Sequence, residues 1–215
     1  MFIGHFAVAF AAKRAAPRVS LGTFILATQW LDGLWPIFLL LGIERVAIRP
    51  GITRFTPLDF EYYPWSHSLA MTLVWAALFA AAYYWRRRDL AAAAVLAAAV
   101  ASHWVLDWIS HRPDLPLYPG GPLVGLGLWN AVAATLATEA VMFMAALALY
   151  FRTTRAADAI GSWGLWAFLA FLVAAYLGAA FGPPPPDVRV LAYTGLSGWL
   201  LVAWGYWIDA HRTAR

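Results

Sequence analysis

Residues 90–114 read LAAAAVLAAAVASHWVLDWISHRPD, an apolar run that ends in evenly spaced polar residues. The first half of the stretch carries no charge, and His103, Asp107 and His111 then follow at intervals of four. A helix that crosses a bilayer needs about 20 mostly apolar residues. Charged groups inside such a helix are costly and mark function by default. The stretch therefore predicts a membrane helix and, at its end, a functional site.

The composition extends this interpretation to the whole chain. Hydrophobic residues make up 63% of the 215 residues and charged residues 12%, and the mean hydropathy is +0.66. Soluble domains have about 45–50% apolar and about 25% charged residues, so this chain cannot cover a soluble surface. We predict an all-α, polytopic integral membrane bundle that forms one domain over residues 1–215. The absence of Cys excludes disulfides and thiolate metal sites.

Six apolar windows are long enough to be transmembrane helices, and a seventh is too short. The predicted spans are residues 20–43, 66–86, 89–111, 128–151, 162–181 and 189–209. The short segment, residues 2–15, is expected to dip part-way into the membrane or to lie along its interface. Pro36 cannot donate to the carbonyl of Asp32, which predicts a kink in the first span. Ser66 is the expected N-cap of the second.

The basic residues divide unequally between the two ends of these spans. Ten fall on one side and five on the other, and the positive-inside tendency assigns the larger group to the cytoplasm. The C-terminus is then cytoplasmic, and the loops rich in Pro and Gly face outward. Because the basic residues cluster in loops, the net charge of +4 does not indicate nucleic-acid binding.

On an α-helix, His103, Asp107 and His111 form one stripe with about 6 Å of rise between neighbours. The two histidines are about 12 Å apart in rise, too far to hold one ion from an undistorted helix. Two arrangements stay open. Asp107 bridges two metals with one histidine on each, or His103 and Asp107 hold one ion while His111 lies at a helix end that frays before Pro113.

Further polar residues are predicted to join this stripe. His5 on the short N-terminal segment and His67 at the start of the second span complete a set of metal ligands. The set is His5, His67, His103, Asp107 and His111. Imidazole and carboxylate suit a divalent metal, zinc before manganese or iron. Asp32 and Glu139 lie inside spans and are the catalytic candidates, as general base or as partners that orient a ligating histidine. For each residue the alternative is a structural role, wetted by headgroup water or hydrogen-bonded to a neighbouring helix.

At these residues the chain resembles the membrane-bound metal-dependent hydrolase family, bacterial and archaeal proteins also called LexA-binding inner-membrane-associated hydrolases. The resemblance covers residues 1–151 and rests on His5, Asp32, the PWSHSL motif at His67, the SHWVLDWISHRPD stretch and the GLWN…TE segment that ends at Glu139. It implies a metal-dependent hydrolase of the bacterial inner membrane. The chain departs from other hydrolases in having no dedicated Ser-His-Asp nucleophile.

The residues and the resemblance together predict a hydrolase whose nucleophile is a metal-activated water in the outer half of the bundle. Membrane lipids are the expected partners, and a lipid-like ester or phosphoester is the expected substrate. The alternative is a transporter or channel with a proton or cation path through Asp32 and Glu139, or a structural membrane subunit. Transporters usually carry matching polar breaks in both halves, whereas only the first half is polar here, which favours a fixed site.

Overall fold

The computed structural model describes residues 1–215 and is mostly helical. The helices are α1 (Ile3–Ala12), α2 (Leu21–Thr28), α3 (Trp30–Leu40), α4 (Pro64–His67), α5 (Leu69–Arg87), α6 (Leu90–Ser110), α7 (Val132–Thr153), α8 (Ala159–Phe181), α9 (Val188–Leu196) and α10 (Gly198–Ala210). Three pairs of short antiparallel strands are present: β1 (Arg45–Ile48) with β2 (Leu58–Tyr62), β3 (Leu115–Pro116) with β4 (Leu123–Val124), and β5 (Thr154–Ala156) with β6 (Arg212–Ala214).

The outer faces of the long helices fit a membrane protein. Helices α6, α7 and α8 are long and apolar enough to cross a bilayer, and α2 with α3 would make a fourth span if the bent pair counts as one. Large apolar side chains such as Val141, Met144 and Trp163 are exposed on these helices, which in a soluble protein would be an aggregation liability. The predicted all-α class is confirmed, and the three apolar helices fit a membrane protein. The number of six spans is not confirmed, because α5 ends in polar residues and the last predicted span is divided into α9 and α10.

The first predicted span bends where the sequence did not indicate it. Helices α2 and α3 meet at an angle of 53°. The break is at Gln29, whose backbone is not helical, while Pro36 lies inside an uninterrupted α3. The kink predicted at Pro36 is therefore wrong in position. Because of the break, the carbonyl of Thr28 is free of the helical hydrogen-bond pattern. It accepts a hydrogen bond from the side chain of His103 instead.

Helix α1 is in the centre of the bundle, so the predicted placement along the membrane interface is wrong, whereas a short helix that reaches only part-way through the bundle is what the structure contains. It packs against α2, α6 and α7, and Ile3, His5, Phe6 and Phe10 are all buried. A ten-residue helix can be buried because its end groups find partners inside the protein. Glu139 accepts the backbone N–H groups of its first turn.

The start of the second predicted span also differs. Ser68, not Ser66, is the N-cap of α5, and its Oγ accepts from the N–H of Met71. Ser66 lies one turn earlier in α4, where Glu44 binds it. This frees Ser66 to contact His67 within the site. The N-cap of α6 is Asp89, and the helix ends at Ser110, close to the predicted span 89–111.

Helices α9 and α10 lie beside α3 and α2, so the two interrupted segments run next to each other. The close approach depends on small residues, since a side chain at Gly205 would meet the backbone of Gly22 within 3.1 Å. The interruption at Ser197 separates α9 from α10. Residues from both interruptions, among them Gln29 and Ser197, line one cavity.

Candidate metal centre

The carboxylate of Asp107 is the centre of the site. Its Oδ1 lies 3.1 Å from Nε2 of His5, and its Oδ2 lies 3.2 Å from Nε2 of His103 and 3.8 Å from Nε2 of His67. The amino group of Met1 also contacts Oδ1, at 2.6 Å. Asp107 and the three histidines are buried. Helices α1, α4 and α6 thus bring four of the predicted ligands to one point.

Asp32 approaches the same point from α3. Its Oδ1 lies 3.4 Å from Nε2 of His67 and 3.7 Å from Nε2 of His103. Two sets of potential ligands result, each with its donor atoms within 4.8 Å of one another: His5, His103 and Asp107 form one set, and Asp32, His67 and His103 form the other. We call these five residues, His5, Asp32, His67, His103 and Asp107, the His/Asp cluster.

The hydrogen bonds of His103 define its free nitrogen. Nδ1 lies 2.7 Å from the carbonyl of Thr28, and a carbonyl only accepts, so Nδ1 carries the proton. In the neutral ring Nε2 then offers a lone pair, and it makes no hydrogen bond although it is buried. A lone pair turned toward the carboxylates of Asp32 and Asp107 is repulsive unless a cation lies between them. This orphaned nitrogen is the observation that best fits a metal ion.

The stacking of the His5 ring on His103 also bears on the charge of these imidazoles. The two rings have centroids 3.7 Å apart and an angle of 3° between the planes. Two protonated imidazoles at this distance would repel each other strongly in a buried site. At least one of the rings is therefore neutral, which is the state that ligates a metal.

A chain of hydrogen bonds orients His67. Nδ1 of His67 lies 2.7 Å from Oγ of Ser66, whose hydroxyl donates to Oε2 of Glu44 at 2.7 Å. The Ser66 hydroxyl has one proton, so it accepts from Nδ1–H of His67, and Nε2 is left to face the cluster. Burial raises the pKa of Glu44, against the opposing hydrogen bonds from Ser66. Partners of this kind fix the tautomer of a metal-binding histidine.

His111 is buried but belongs to neither ligand set. It caps α6 with an extended backbone, and its Nδ1 lies 3.0 Å from Oδ1 of Asp114. The hydroxyl of Tyr63 donates to the same Oδ1 at 3.3 Å. Burial, and next the charge of Asp114, raise the pKa of Tyr63 well above its usual value, so its hydroxyl stays protonated. The side chain of Arg112 completes this group through both Asp114 and Asp59.

Glu139, which the sequence indicated as a catalytic candidate, contacts the backbone at the start of α1. It is fully buried, and its Oε2 accepts the N–H groups of Phe2 and Gly4, each at 2.9 Å. A carboxylate at a helix N-terminus interacts favourably with the helix dipole. Glu139 thus holds α1, and with it His5, in position, and it is not part of the His/Asp cluster.

Several residues of the site were not identified from the sequence. Glu44 gave no signal, because it lies 22 residues from Ser66 in the sequence. The two residues come into contact only once the hairpin β1–β2 between them has formed. The carbonyl of Thr28 is invisible in a side-chain pattern. Asp114 did carry a signal, since it follows His111 by three residues in the sequence.

A cavity of about 640 Å³ opens beside the cluster, within the roughly 300–1,000 Å³ of typical small-molecule sites. Asp32, His67, Asp107 and His111 line it, and most of its remaining lining is hydrophobic. His111 therefore faces the same cavity as the cluster without belonging to it. Such a cavity can hold an apolar molecule with one polar part next to the carboxylates.

Comparisons of the chain with protein-family models, with curated proteins and with solved structures gave no match. The residues of the site therefore provide the basis for a functional assignment.

Proposed function

We propose that the protein is a metal-dependent hydrolase of the bacterial inner membrane, with its C-terminus in the cytoplasm and a lipid-like ester or phosphoester as substrate. The observation that carries the proposal is the buried Nε2 of His103, which has no hydrogen bond and faces two carboxylates. His5, His67 and Asp107 supply the remaining contacts around it. A donor set of imidazoles and carboxylates suits zinc, with manganese or iron as the other candidates.

A bound divalent ion would lower the pKa of water and polarise the substrate oxygen. The chain's own residues divide the remaining tasks. Asp32 lines the cavity and has the most exposed side chain of the cluster, 42%. It accepts a proton from the attacking water at a carboxylate oxygen. His111, held by Asp114 through Nδ1, donates a proton from Nε2 to the leaving oxygen, as a general acid does.

Asp107 supplies negative charge, and the hydrogen bonds at Nδ1 of His103 and His67 fix the geometry of the site. The carboxylate of Asp107 balances the positive charge of the ion in a site from which water is largely excluded. Thr28 and Ser66 hold His103 and His67 with Nε2 directed inward. Rigid ligands of this kind preserve the geometry on which catalysis depends.

The alternative of a proton path through Asp32 and Glu139 finds less support in the contacts. Glu139 is fully buried, and one of its oxygens is occupied by two backbone N–H groups at the start of α1. Protonation would weaken the support of α1 at every transfer. We therefore retain the hydrolase as the single proposal.

The test combines metal content with activity. Protein purified in detergent without chelators should contain a stoichiometric divalent metal, and it should hydrolyse p-nitrophenyl esters or bis-p-nitrophenyl phosphate. Dialysis against a chelator should abolish turnover, and zinc, manganese or iron should restore it. Negligible metal and no turnover after reconstitution would contradict the proposal.

A further inference from the structure

Nearly half of the residues that line the cavity belong to the last three helices, which the proposed site does not use. Phe171 and Ala175 of α8 and Leu200, Leu201 and Trp204 of α10 line it. The cavity therefore extends from the polar residues of the first half of the chain into an apolar compartment of the second half. A hydrolase of small polar esters would have no use for this compartment.

The apolar compartment communicates with the outer surface of the bundle. Phe171 and Leu200 line the cavity and are also exposed, and α8 is one of the helices that can cross a membrane. In a bilayer the exposed faces of α8 and α10 meet lipid chains. An apolar chain can then enter the cavity from the side without crossing water, which would cost about 0.8 kcal/mol per CH₂ group.

Three residues that line the cavity carry side-chain donors that the protein leaves without acceptors. Gln29, Trp35 and Trp129 line the cavity, and Nε2 of Gln29 and Nε1 of both tryptophans are buried without a hydrogen-bond partner in the protein. Trp129 packs against the ring of His111 at 4.3 Å, which places it at the polar end. An unpaired buried donor costs about 1–3 kcal/mol, so these groups favour a ligand part rich in acceptors.

Ester and phosphoester groups fit this requirement, because their oxygens accept hydrogen bonds and bring no donors of their own. Trp204, in the apolar compartment, is the one further lining tryptophan with a buried indole N–H that lacks a partner. The balance of the cavity is thus donors near the cluster and hydrocarbon beyond it.

We propose that α8 and α10 form a tail-binding compartment for one apolar chain of a membrane phospholipid or lysophospholipid, whose ester or phosphoester oxygens lie against Gln29, Trp35 and Trp129. This inference rests on the proposed function for the reaction, but the binding of the lipid does not. The compartment sets specificity for chain length, and the His/Asp cluster acts on the head.

Two substitutions fill the compartment, and each has a matched control. Ala175→Phe places a ring in the cavity, whereas Ala174→Phe adds the same ring on the adjacent, exposed residue of α8 that does not line it. Gly198→Leu fills the cavity at a position where a Cβ meets no atom within 4 Å. Gly178 has equal space but does not line the cavity, so Gly178→Leu is its control.

Binding is measured by native mass spectrometry of detergent-purified protein titrated with palmitoyl-lysophosphatidylglycerol, with chainless glycerophosphoglycerol as comparison. The wild type should bind one lysolipid and should bind the chainless molecule far more weakly. Ala175→Phe and Gly198→Leu should weaken lysolipid binding roughly 10-fold or more, and the two controls should not. Equal binding by all five proteins, or equal loss in variants and controls, would overturn the inference.

Hydrolysis separates this inference from the proposed function. With p-nitrophenyl butyrate and p-nitrophenyl dodecanoate, the cavity-filling variants should lose kcat/KM for the long chain and keep it for the short one. Selective lysolipid binding without hydrolysis of either ester would support the compartment and contradict the hydrolase. Hydrolysis that is equal for both chains in all variants would support the hydrolase and contradict the compartment.

Discussion

Besides His111 with Asp114, two places in the molecule join histidine to aspartate, and these two differ in how completely their hydrogen bonds are satisfied. In the terminal pair, His211 and Asp158, Nδ1 lies 2.6 Å from a carboxylate oxygen, and the other oxygen caps α8 through the N–H of Gly161. The pair is partly exposed and every contact has a structural purpose. In the His/Asp cluster every residue except Asp32 is buried, and Nε2 of His103 and Nδ1 of His5 have no partner.

The difference teaches how to distinguish a working site from a structural ion pair. Both places contain the same residue types, so composition cannot separate them. The hydrogen bonds of the terminal pair are satisfied without any ligand. The cluster holds two carboxylates and three imidazoles in a largely buried space. The amino group of Met1 offsets the charge of one carboxylate, that of Asp107, so a further cation would lower the cost of the arrangement. Unsatisfied donor atoms, rather than a satisfied ion pair, are therefore the feature that supports the proposed metal.

The largest expected effect is that of Asp107→Asn. The amide keeps the size of the side chain but removes the charge that faces His5, His67 and His103. Bound metal should fall more than the roughly 10–100-fold typical of outer partners, and hydrolysis should fall to background. Metal analysis of the purified variant measures the first effect. His211→Ala is the control and should retain full metal content; equal metal in Asp107→Asn and wild type would remove the distinction between the two places.

His111→Ala should reduce catalysis without reducing metal. Its ring contacts Asp114 and Tyr63 and lies outside both ligand sets. Loss of a general acid should lower kcat by about 10²–10⁴-fold, while KM and metal content change little. A substrate with a good leaving group, such as a p-nitrophenyl ester, should suffer less than an alkyl ester. Metal loss as large as that of Asp107→Asn would instead make His111 a ligand.

Glu44→Gln tests the orientation of His67 by reversing a chain of hydrogen bonds. The amide would donate to Oγ of Ser66, whose proton would then turn to Nδ1 of His67 and leave Nε2 protonated. Metal affinity should fall about 10–100-fold, measured by competition with a chelator. Glu44→Asp keeps the charge and should retain more affinity. Since burial raises the pKa of Glu44, wild-type affinity should also decline as pH falls through that raised value.

The sequence predicts contacts between residues that are close along the chain, and it does not predict contacts between residues that are far apart. The spacing of His103 and Asp107 on α6 fixes their shared face, because helix geometry alone determines it. The place of His5 depends on Glu139, 135 residues away from Gly4, and such a contact has no local pattern. No Pro or Gly lies at Gln29 to indicate the break there. The kink was therefore predicted at Pro36, which lies inside α3. Local rules predicted the ligands and tertiary contacts assembled them.

The smallest expected effect is at the terminal pair, through Asp158→Asn. The hydrogen bond from His211, and next that from Gly161, lower the pKa of Asp158 in the folded protein. A lowered pKa contributes stability above the unfolded value, about 3.9, and that stability is lost as pH falls through the folded value. Asn still caps α8, so the variant should unfold at a slightly lower temperature at pH 7 and match the wild type in strong acid. Thermal unfolding in detergent across this range measures the difference. Metal content should be unchanged throughout, and a loss of metal here would mean that the terminal pair communicates with the His/Asp cluster.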